Sequence, residues 1–374
     1  MAEHKFPFKT VTLLTAYLLI SLIIVAMASS LTLVDSRIGM IPLTNFNAYK
    51  PYQYRVLMPL LIRGIESITP KFIENNVVEV AAPRITAQME QEAVPDYKAH
   101  KISIEVLRVV IYAGLSILSF FLFMLALWKL AGAFDYFPPS LAAILPIGLL
   151  LVMPLYFDYG TFAYDFPHLL LFTLGLYFLA KGKWPSYLVI FALGIINKET
   201  AIALTLIFAV YYYRKLPRHV FFYLLGGQLL IFLAIKLTLY FVFYSNPGVF
   251  AEWHLSRNFS YLADLSHYFR FEKLGKGIFM PFALQIPWPR GLNIPVLALV
   301  SGLMIYGWRE KPDFLRKATV YFIILFLLAI TYGFVNELRA YYDALPIVYL
   351  LAAMGGYKLY KELRQSFAKG YSHG

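Results

Sequence analysis

Two adjacent charged residues, Lys198 and Glu199, interrupt the apolar run from Tyr187 to Tyr213. A charge at the centre of a bilayer costs at least about 2.5 kcal/mol on insertion scales, so such residues seldom face lipid. The run must therefore fold so that both side chains avoid the hydrocarbon. Charges at membrane depth usually serve a function, and the alternative here is a structural ion pair.

Long apolar blocks recur along the whole chain. The 374 residues are 60% hydrophobic and only 14% charged, whereas soluble domains carry about 25% charge. Apolar blocks of about 18 residues or more indicate membrane-spanning helices. We therefore predict a single domain over residues 1–374, an all-α, polytopic transmembrane helical bundle. Its predicted spans are Val11–Val34, Ile102–Trp128, Ser140–Phe157, Phe166–Ala180, Tyr187–Tyr213, Val220–Tyr244, Leu292–Trp308, Ala318–Val335 and Ala340–Tyr357.

Composition excludes several kinds of site. Cysteine is absent, which excludes disulfides, thiolate metal sites and a cysteine nucleophile. The net charge of +12 indicates topology signals and contact with anionic membrane lipids, and we predict no nucleic-acid partner. Ala26-Met27-Ala28 resembles a signal-peptide cleavage site. Because the apolar run continues past it, an uncleaved first helix is favoured over a signal peptide.

Short basic turns predict the topology. Lysine and arginine in short loops favour the cytoplasmic side, which places both chain termini there. One continuous helix through Tyr187–Tyr213 would put Lys181 and Arg214 on opposite sides. Two short helices meeting at Asn197–Thr200 keep both on one side and place Lys198 at the floor of a cavity open to the outside. The large outer segments are then 35–101, with an amphipathic surface helix, and 245–291, with an interfacial or re-entrant stretch at Ile278–Trp288.

Polar residues at the predicted helix ends are candidates for chemistry. Asp35 follows the first span and is either a general base or a helix-end carboxylate. Arg55, next to Tyr54, is either a phosphate ligand or an interfacial anchor. Lys198 is a candidate ligand for a phosphate oxygen, with Glu199 pairing elsewhere in the cavity because adjacent helical residues point apart.

The remaining candidates lie in two short outer segments. Asp158, Asp165 and His168 surround one of them and would position a sugar hydroxyl or a cation. The alternative for Asp165 is helix capping, since Phe166-Pro167 follows it. Glu337 and Arg339 lie between the last two spans, with Arg339 able to face the cavity. The histidines are too isolated to predict a metal site.

Over most of its length the chain resembles the GT-C superfamily of polytopic membrane glycosyltransferases in architecture, with a first span that ends in an acidic residue and a large first outer loop. Ala192–Ala201 is similar to that superfamily's short-helix hairpin with a Thr/Asn-Lys-Glu turn. Tyr54–Pro59 and Glu337–Arg339 resemble stretches of uncharacterised bacterial membrane proteins of this broad type. The resemblance implies a catalytic carboxylate in the first outer loop, at Asp35. It gives no reason to expect a divalent metal or another cofactor.

The sequence hypothesis is therefore a hexosyl- or pentosyltransferase of the bacterial inner membrane and cell envelope. It would move a sugar from a polyprenyl-phosphate donor to a glycan or lipid acceptor on the extracytoplasmic face, with Asp35 as base. Arg55, Lys198 and Arg339 would bind the donor phosphate, and the substrate would be positioned by Tyr54, Asp158, Asp165, His168, Glu199 and Glu337. The alternatives are a secondary transporter that uses Lys198-Glu199 and a non-catalytic scaffold for envelope assembly.

Overall fold

A computed structural model describes residues 7–29, 35, 37–91, 106–157, 161–249, 251–274 and 284–370. The chain is mostly helical, with 78% helix and 3% strand. The helices are α1 (Pro7–Ala28), α2 (Met40–Thr44), α3 (Leu57–Ile68), α4 (Lys71–Gln91), α5 (Val106–Gly132), α6 (Pro139–Ile144), α7 (Leu149–Val152), α8 (Asp165–Ala180), α9 (Trp184–Asn197), α10 (Ala203–Tyr212), α11 (Arg218–Val242), α12 (Leu255–Ala263), α13 (Ile294–Ile305), α14 (Asp313–Ala318), α15 (Tyr321–Tyr332) and α16 (Leu345–Gly370).

Membrane-spanning length is reached by several of these elements. Within the described residues, five segments are long and apolar enough to cross a membrane, consistent with an all-α membrane protein. They are Thr10–Ala28, Val106–Gly132, Pro139–Tyr156, Arg218–Val242 and Asp313–Tyr332. The third alternates between α and 3-10 turns, where Pro146 and Pro154 cannot donate the backbone hydrogen bonds of a regular helix.

The apolar run around Lys198 is two helices. Helix α9 ends at Asn197, Lys198 is extended, and a 3-10 turn over Glu199–Ile202 leads into α10. Near the start of the run, the Trp184 ring contacts Phe208 and Tyr212 near its end, with ring centroids 5.9 and 4.9 Å apart. The two short helices are therefore antiparallel, and their outer ends lie together at one end of the bundle.

The basic turns gather at this same end, which we call the basic end. Lys215 pairs with Asp313 at 3.0 Å, which joins the turn after α10 to the start of α14. Lys358 of α16 pairs with Glu310 in the turn before α14. The described basic turns, at 181–183, 214–218 and 309–317, are thus neighbours of one another and of Lys358 in the structure. The break at Lys198 lies at the opposite end, which we call the site end.

A core of large apolar side chains joins the helices between these ends. Phe120 of α5 meets Phe166 of α8 edge to face, with ring centroids 5.4 Å apart. Tyr17 of α1 and Tyr187 of α9 are fully buried in the same core. The core fixes the start of α8 relative to the α9 break, and both elements contribute to the site end.

The polar outer segments have structures of their own. Residues 37–91 contain α2, α3 and α4, and the amphipathic helix predicted near Pro59 is α3. The stretch predicted as interfacial or re-entrant differs. Its described part forms strand β2 (Leu284–Pro289), antiparallel to β1 (Phe271–Leu274), with Ile286 exposed. Residues 284–288 are therefore part of a β-strand rather than a re-entrant segment, and their interfacial position stays a prediction. Residues 278–283 lie outside the described residues.

Helix α13 depends on one close helix–helix approach. None of its residues is buried, so it is attached mainly through α16. A Cβ added to Gly355 of α16 would lie 1.9 Å from the Leu303 carbonyl oxygen of α13. The Lys311 ammonium also donates to the Leu303 and Leu351 carbonyls at 2.8 Å each. Both contacts require the two backbones to stay close together.

Gly355→Ala is expected to lower the unfolding midpoint of the purified protein in detergent. The added methyl group collides with backbone, and such overpacking costs about 1–3 kcal/mol. Gly356→Ala is the matched control, because a Cβ there meets nothing within 4 Å and alanine favours the helix. Equal midpoints for the two variants, measured by thermal unfolding, would contradict the close approach.

Candidate functional site

A cavity of about 600 Å³ opens at the site end. Its polar lining comes from the loop before α3, the start of α8, the Lys198 break, Lys236 of α11, the segment before α12 and the turn before α16. Its apolar lining comes from α11 and α15, which belong to two of the membrane-length segments. The cavity therefore joins a charged floor to an apolar wall.

Local hydrogen bonds fix the break in the helix. The Asn197 side-chain amide donates to the Tyr164 carbonyl at 2.9 Å. The Val56 backbone N–H donates to the Ile196 carbonyl at 3.2 Å, so the loop that carries Arg55 is attached to the break. The open backbone groups of a broken helix are satisfied in this way by other parts of the protein. Arg55, Lys198 and Glu199 are consequently brought together.

Arg55 and Glu199 form the best-defined ion pair of the cavity. Arg55 Nη2 donates to Glu199 Oε1 at 2.8 Å, Nε lies 3.5 Å from Oε2, and Nη1 donates to the Tyr164 hydroxyl. The guanidinium lies 4.4 Å from the Tyr164 ring centroid, and Lys236 Nζ lies 3.9 Å from Glu199 Oε2. Burial disfavours the charged form of Arg55, but Glu199 more than offsets this and raises the pKa of Arg55 above its ordinary value.

Arg339 forms a second cationic group beside the first. Its Nη2 donates to Glu337 Oε2 at 3.0 Å, and its Nη1 lies 3.9 Å from Asp165 Oδ2. Its guanidinium lies 4.1 Å from the Phe162 ring centroid, and the Phe162 and Tyr164 rings stack at 5.4 Å. Burial opposes its charge, yet Glu337 and Asp165 raise the pKa of Arg339. Two arginines therefore lie against neighbouring aromatic rings.

Asp165 makes its side-chain hydrogen bond to a residue that precedes it in the chain. The sequence favoured helix capping for this residue. Its carboxylate instead accepts a hydrogen bond from the Phe162 N–H at 2.8 Å, and no side-chain cap closes the start of α8. The capping prediction is wrong in this respect, because the nearby Arg339 and the Phe162 turn hold the carboxylate. It lines the cavity from this position.

Lys198 lies above a buried polar cluster. Its ammonium interacts electrostatically with the Asp343 carboxylate. Asp343 is fully buried and accepts from the Tyr321 hydroxyl at 2.7 Å and from His168 Nε2. Thr200 Oγ1 lies 3.3 Å from the same ring nitrogen, and Thr200 lines the cavity. The cluster thus connects the core to the cavity floor.

The structure brings together most of the residues that the sequence selected. The cavity lining includes Tyr54, Arg55, Asp165, Lys198, Glu199, Glu337 and Arg339. His168 lies beneath the floor, fully buried, and does not line the cavity. Asp158 lies outside the described residues.

Asp35 is at the site end but does not line the cavity. Its Oδ1 accepts from the Arg37 and Ile38 backbone N–H groups at 2.8 and 3.1 Å, and Arg37 pairs with it at 3.5 Å. The carboxylate therefore closes the turn that leads into α2. Its role as a base stays a prediction.

Several cavity residues were not selected from the sequence. The sequence shows Lys236 as a charge inside an apolar run, but it does not predict that Lys236 pairs with Glu199. Glu252 and His254 both line the cavity, although no motif surrounds them. Tyr164 gave no signal at all, since aromatic residues are frequent throughout the chain.

The described residues were also compared with the usual arrangement of protein metal ligands. Within the described ranges, no group of three or more His, Cys, Asp or Glu side chains is placed to hold a metal ion. Comparison with known proteins finds no match for this chain among protein-family models, curated proteins or solved structures.

Proposed function

We propose that the protein is an integral membrane glycosyltransferase of the GT-C type. It transfers a hexose or pentose from a polyprenyl-phosphate donor to a glycan or lipid acceptor on the extracytoplasmic face of a bacterial inner membrane. The observation that carries this proposal is the composition of the cavity, which combines a charged floor, where four cations lie beside four carboxylates, with a wall of apolar side chains. A phosphate attached to a long hydrocarbon chain has the same two parts.

The floor suits a leaving phosphate. Arg55, Lys198, Lys236 and Arg339 all line the cavity, and three of them are held by carboxylates or aromatic rings. When the bond between the sugar and the phosphate breaks, negative charge grows on the phosphate oxygens. Cations that are already in position stabilise this charge without reorganising, which is usually a large part of catalysis. Arginine adds paired hydrogen bonds to phosphate oxygens.

The wall suits the hydrocarbon chain. Leu325 is buried at the base of the wall, whereas Leu328 and Tyr332 one and two turns further along α15 are 42% and 48% exposed. Phe232 of α11 faces the cavity from another side. The apolar lining thus continues from the cavity to the outer surface of a membrane-length segment. An isoprenoid tail would leave the cavity along this path, since burying it there removes apolar surface from water.

The grouping of basic turns supports the orientation. Loops rich in lysine and arginine favour the cytoplasm, and the basic end collects them. The cavity lies at the other end of the bundle. With the basic end in the cytoplasm, both chain termini would be cytoplasmic and the cavity would open to the extracytoplasmic face.

Reconstituted protein is expected to transfer label from a panel of radiolabelled polyprenyl-phosphate hexoses and pentoses to envelope glycolipids. Lys198→Gln should lower the rate at least about tenfold, because it removes one cation from the developing charge. Lys215→Gln at the basic end is the matched control and should transfer like the wild type. No transfer by the wild type from any donor in the panel would overturn the proposal.

A secondary transporter is the second candidate, and one observation favours it. Asp343 and His168 form a buried polar pair, and Thr200 connects it to the cavity, as charged and polar groups line the ion paths of carriers. Solute uptake into sealed liposomes that responds to an imposed pH gradient, without any sugar transfer, would select this function instead.

A further inference from the structure

Glu252 and His254 form an acid–imidazole pair on the rim of the cavity. His254 Nε2 lies 3.1 Å from Glu252 Oε2. The imidazole stacks on the Phe334 ring with centroids 4.2 Å apart, and the His254 backbone N–H donates to the Thr331 carbonyl at 2.9 Å. Both residues line the cavity. The imidazole is therefore held from three directions beside the space that a substrate would occupy.

This pair differs from the other carboxylates that line the cavity. Glu199 pairs with Arg55 and Lys236, and Glu337 pairs with Arg339. Asp165 accepts from a backbone N–H and also lies 3.9 Å from Arg339. A carboxylate whose lone pairs are taken up by cations is a poor acceptor for a proton. Glu252 is paired instead with an imidazole, a group that can be uncharged and that ordinarily accepts a proton near neutral pH.

We propose that His254 is the general base of the transfer reaction and that Glu252 is its positioning residue. This inference rests on the proposed function. Because a carboxylate can only accept, Nε2–H donates to Glu252, and Nδ1 is the ring nitrogen left to take a proton. This is the arrangement in which a third group orients a base, as in hydrolase triads.

The step balances without a further reactant. The acceptor hydroxyl gives its proton to His254 Nδ1 while its oxygen forms a bond to the anomeric carbon. The bond between that carbon and the donor phosphate oxygen breaks, and the electron pair leaves with the lipid phosphate. His254 then releases the proton to water. Arg55 and Arg339 face the phosphate in this scheme.

The position of Asp35 also favours this assignment. A base must lie within hydrogen-bond reach of the proton that it removes. The Asp35 carboxylate is occupied with two backbone N–H groups of its own turn and does not line the cavity. His254 does line it.

The experiment compares two histidines in matched surroundings. His254→Gln should lower kcat by about 100- to 10,000-fold with little change in KM, the usual effect of removing a general base. His267→Gln is the control. His267 also pairs with a carboxylate, Asp264 at 3.3 Å, and stacks on a ring, Tyr261 at 4.1 Å, yet it does not line the cavity. It should transfer at the wild-type rate.

Two further variants separate catalysis from structure. His254→Ala should regain part of its kcat when imidazole is added, which a folding defect would not allow. Glu252→Gln should lower kcat by less than His254→Gln does. Wild-type-like kcat in His254→Gln, or loss in Asp35→Asn alone, would overturn the inference and leave the proposed function standing. A wild type that transfers no sugar from any donor would remove both.

Discussion

Replacement of Arg55 by lysine is expected to lower sugar transfer by about 100- to 1,000-fold, mainly through kcat. Lysine keeps the charge but loses the two-point contact with Glu199 and the hydrogen bond to Tyr164. Its ammonium also cannot lie flat against the Tyr164 ring in the way that the guanidinium does. The remaining charge would be present but not held where the phosphate charge develops.

The measurement is the initial rate of transfer from a polyprenyl-phosphate sugar in liposomes, with binding of the donor followed separately. Arg63→Lys is the matched control, because Arg63 also pairs with a glutamate, Glu66 at 2.7 Å, but lies on the exposed face of α3. That variant should keep the wild-type rate. If Arg55→Lys and Arg63→Lys transfer equally well, the oriented guanidinium has no part in the reaction.

Asp343→Asn is expected to destabilise the protein by about 1–3 kcal/mol, the usual cost of leaving a buried hydrogen-bonding group without its partner. The substitution removes the charge that faces Lys198 and His168. It also puts an amide donor where Tyr321 now donates at 2.7 Å. Neither Asp343 nor His168 can turn to water, because both are fully buried.

The unfolding midpoint in detergent checks this expectation. Asp313→Asn is the control, since Asp313 pairs with Lys215 and Lys317 at the solvent-exposed basic end, where ion pairs contribute about 0–1 kcal/mol. If Asp343→Asn does not accumulate, Tyr321→Phe tests the same cluster more gently and should cost about 1 kcal/mol. A Tyr321→Phe midpoint equal to the wild type would contradict the account of the cluster.

Much of the fold followed from charge and length in the sequence. The break at Lys198 was predictable because two charged residues inside an apolar run are costly to expose to lipid. The basic turns also predicted that both ends of the run lie on the same side of the membrane. The same reasoning brought Arg55, Lys198 and Arg339 into one cavity. In each case the prediction rested on the free-energy cost of placing a charged side chain in lipid, which can be judged from the local sequence alone.

Other features could not be predicted from the local sequence. The buried position of His168 and the pairing of the strand Leu284–Pro289 depend on partners far away in the chain. Nothing near His168 in the sequence points to Asp343, and nothing near Leu284 points to the β1 strand. Position relative to a helix end was enough to select polar residues as candidates. It could not say which of them face the cavity and which pack beneath it.

The hydrogen bond from Val56 to the Ile196 carbonyl has a consequence for biosynthesis. It attaches the loop that carries Arg55 to the helix break at Lys198, which is synthesised much later than that loop. Arg339 is synthesised later still. The cavity is therefore complete only after the last of these segments has been made. Under the proposed function, a partly inserted chain would transfer no sugar, and transfer would begin only when the late helices had joined the early ones.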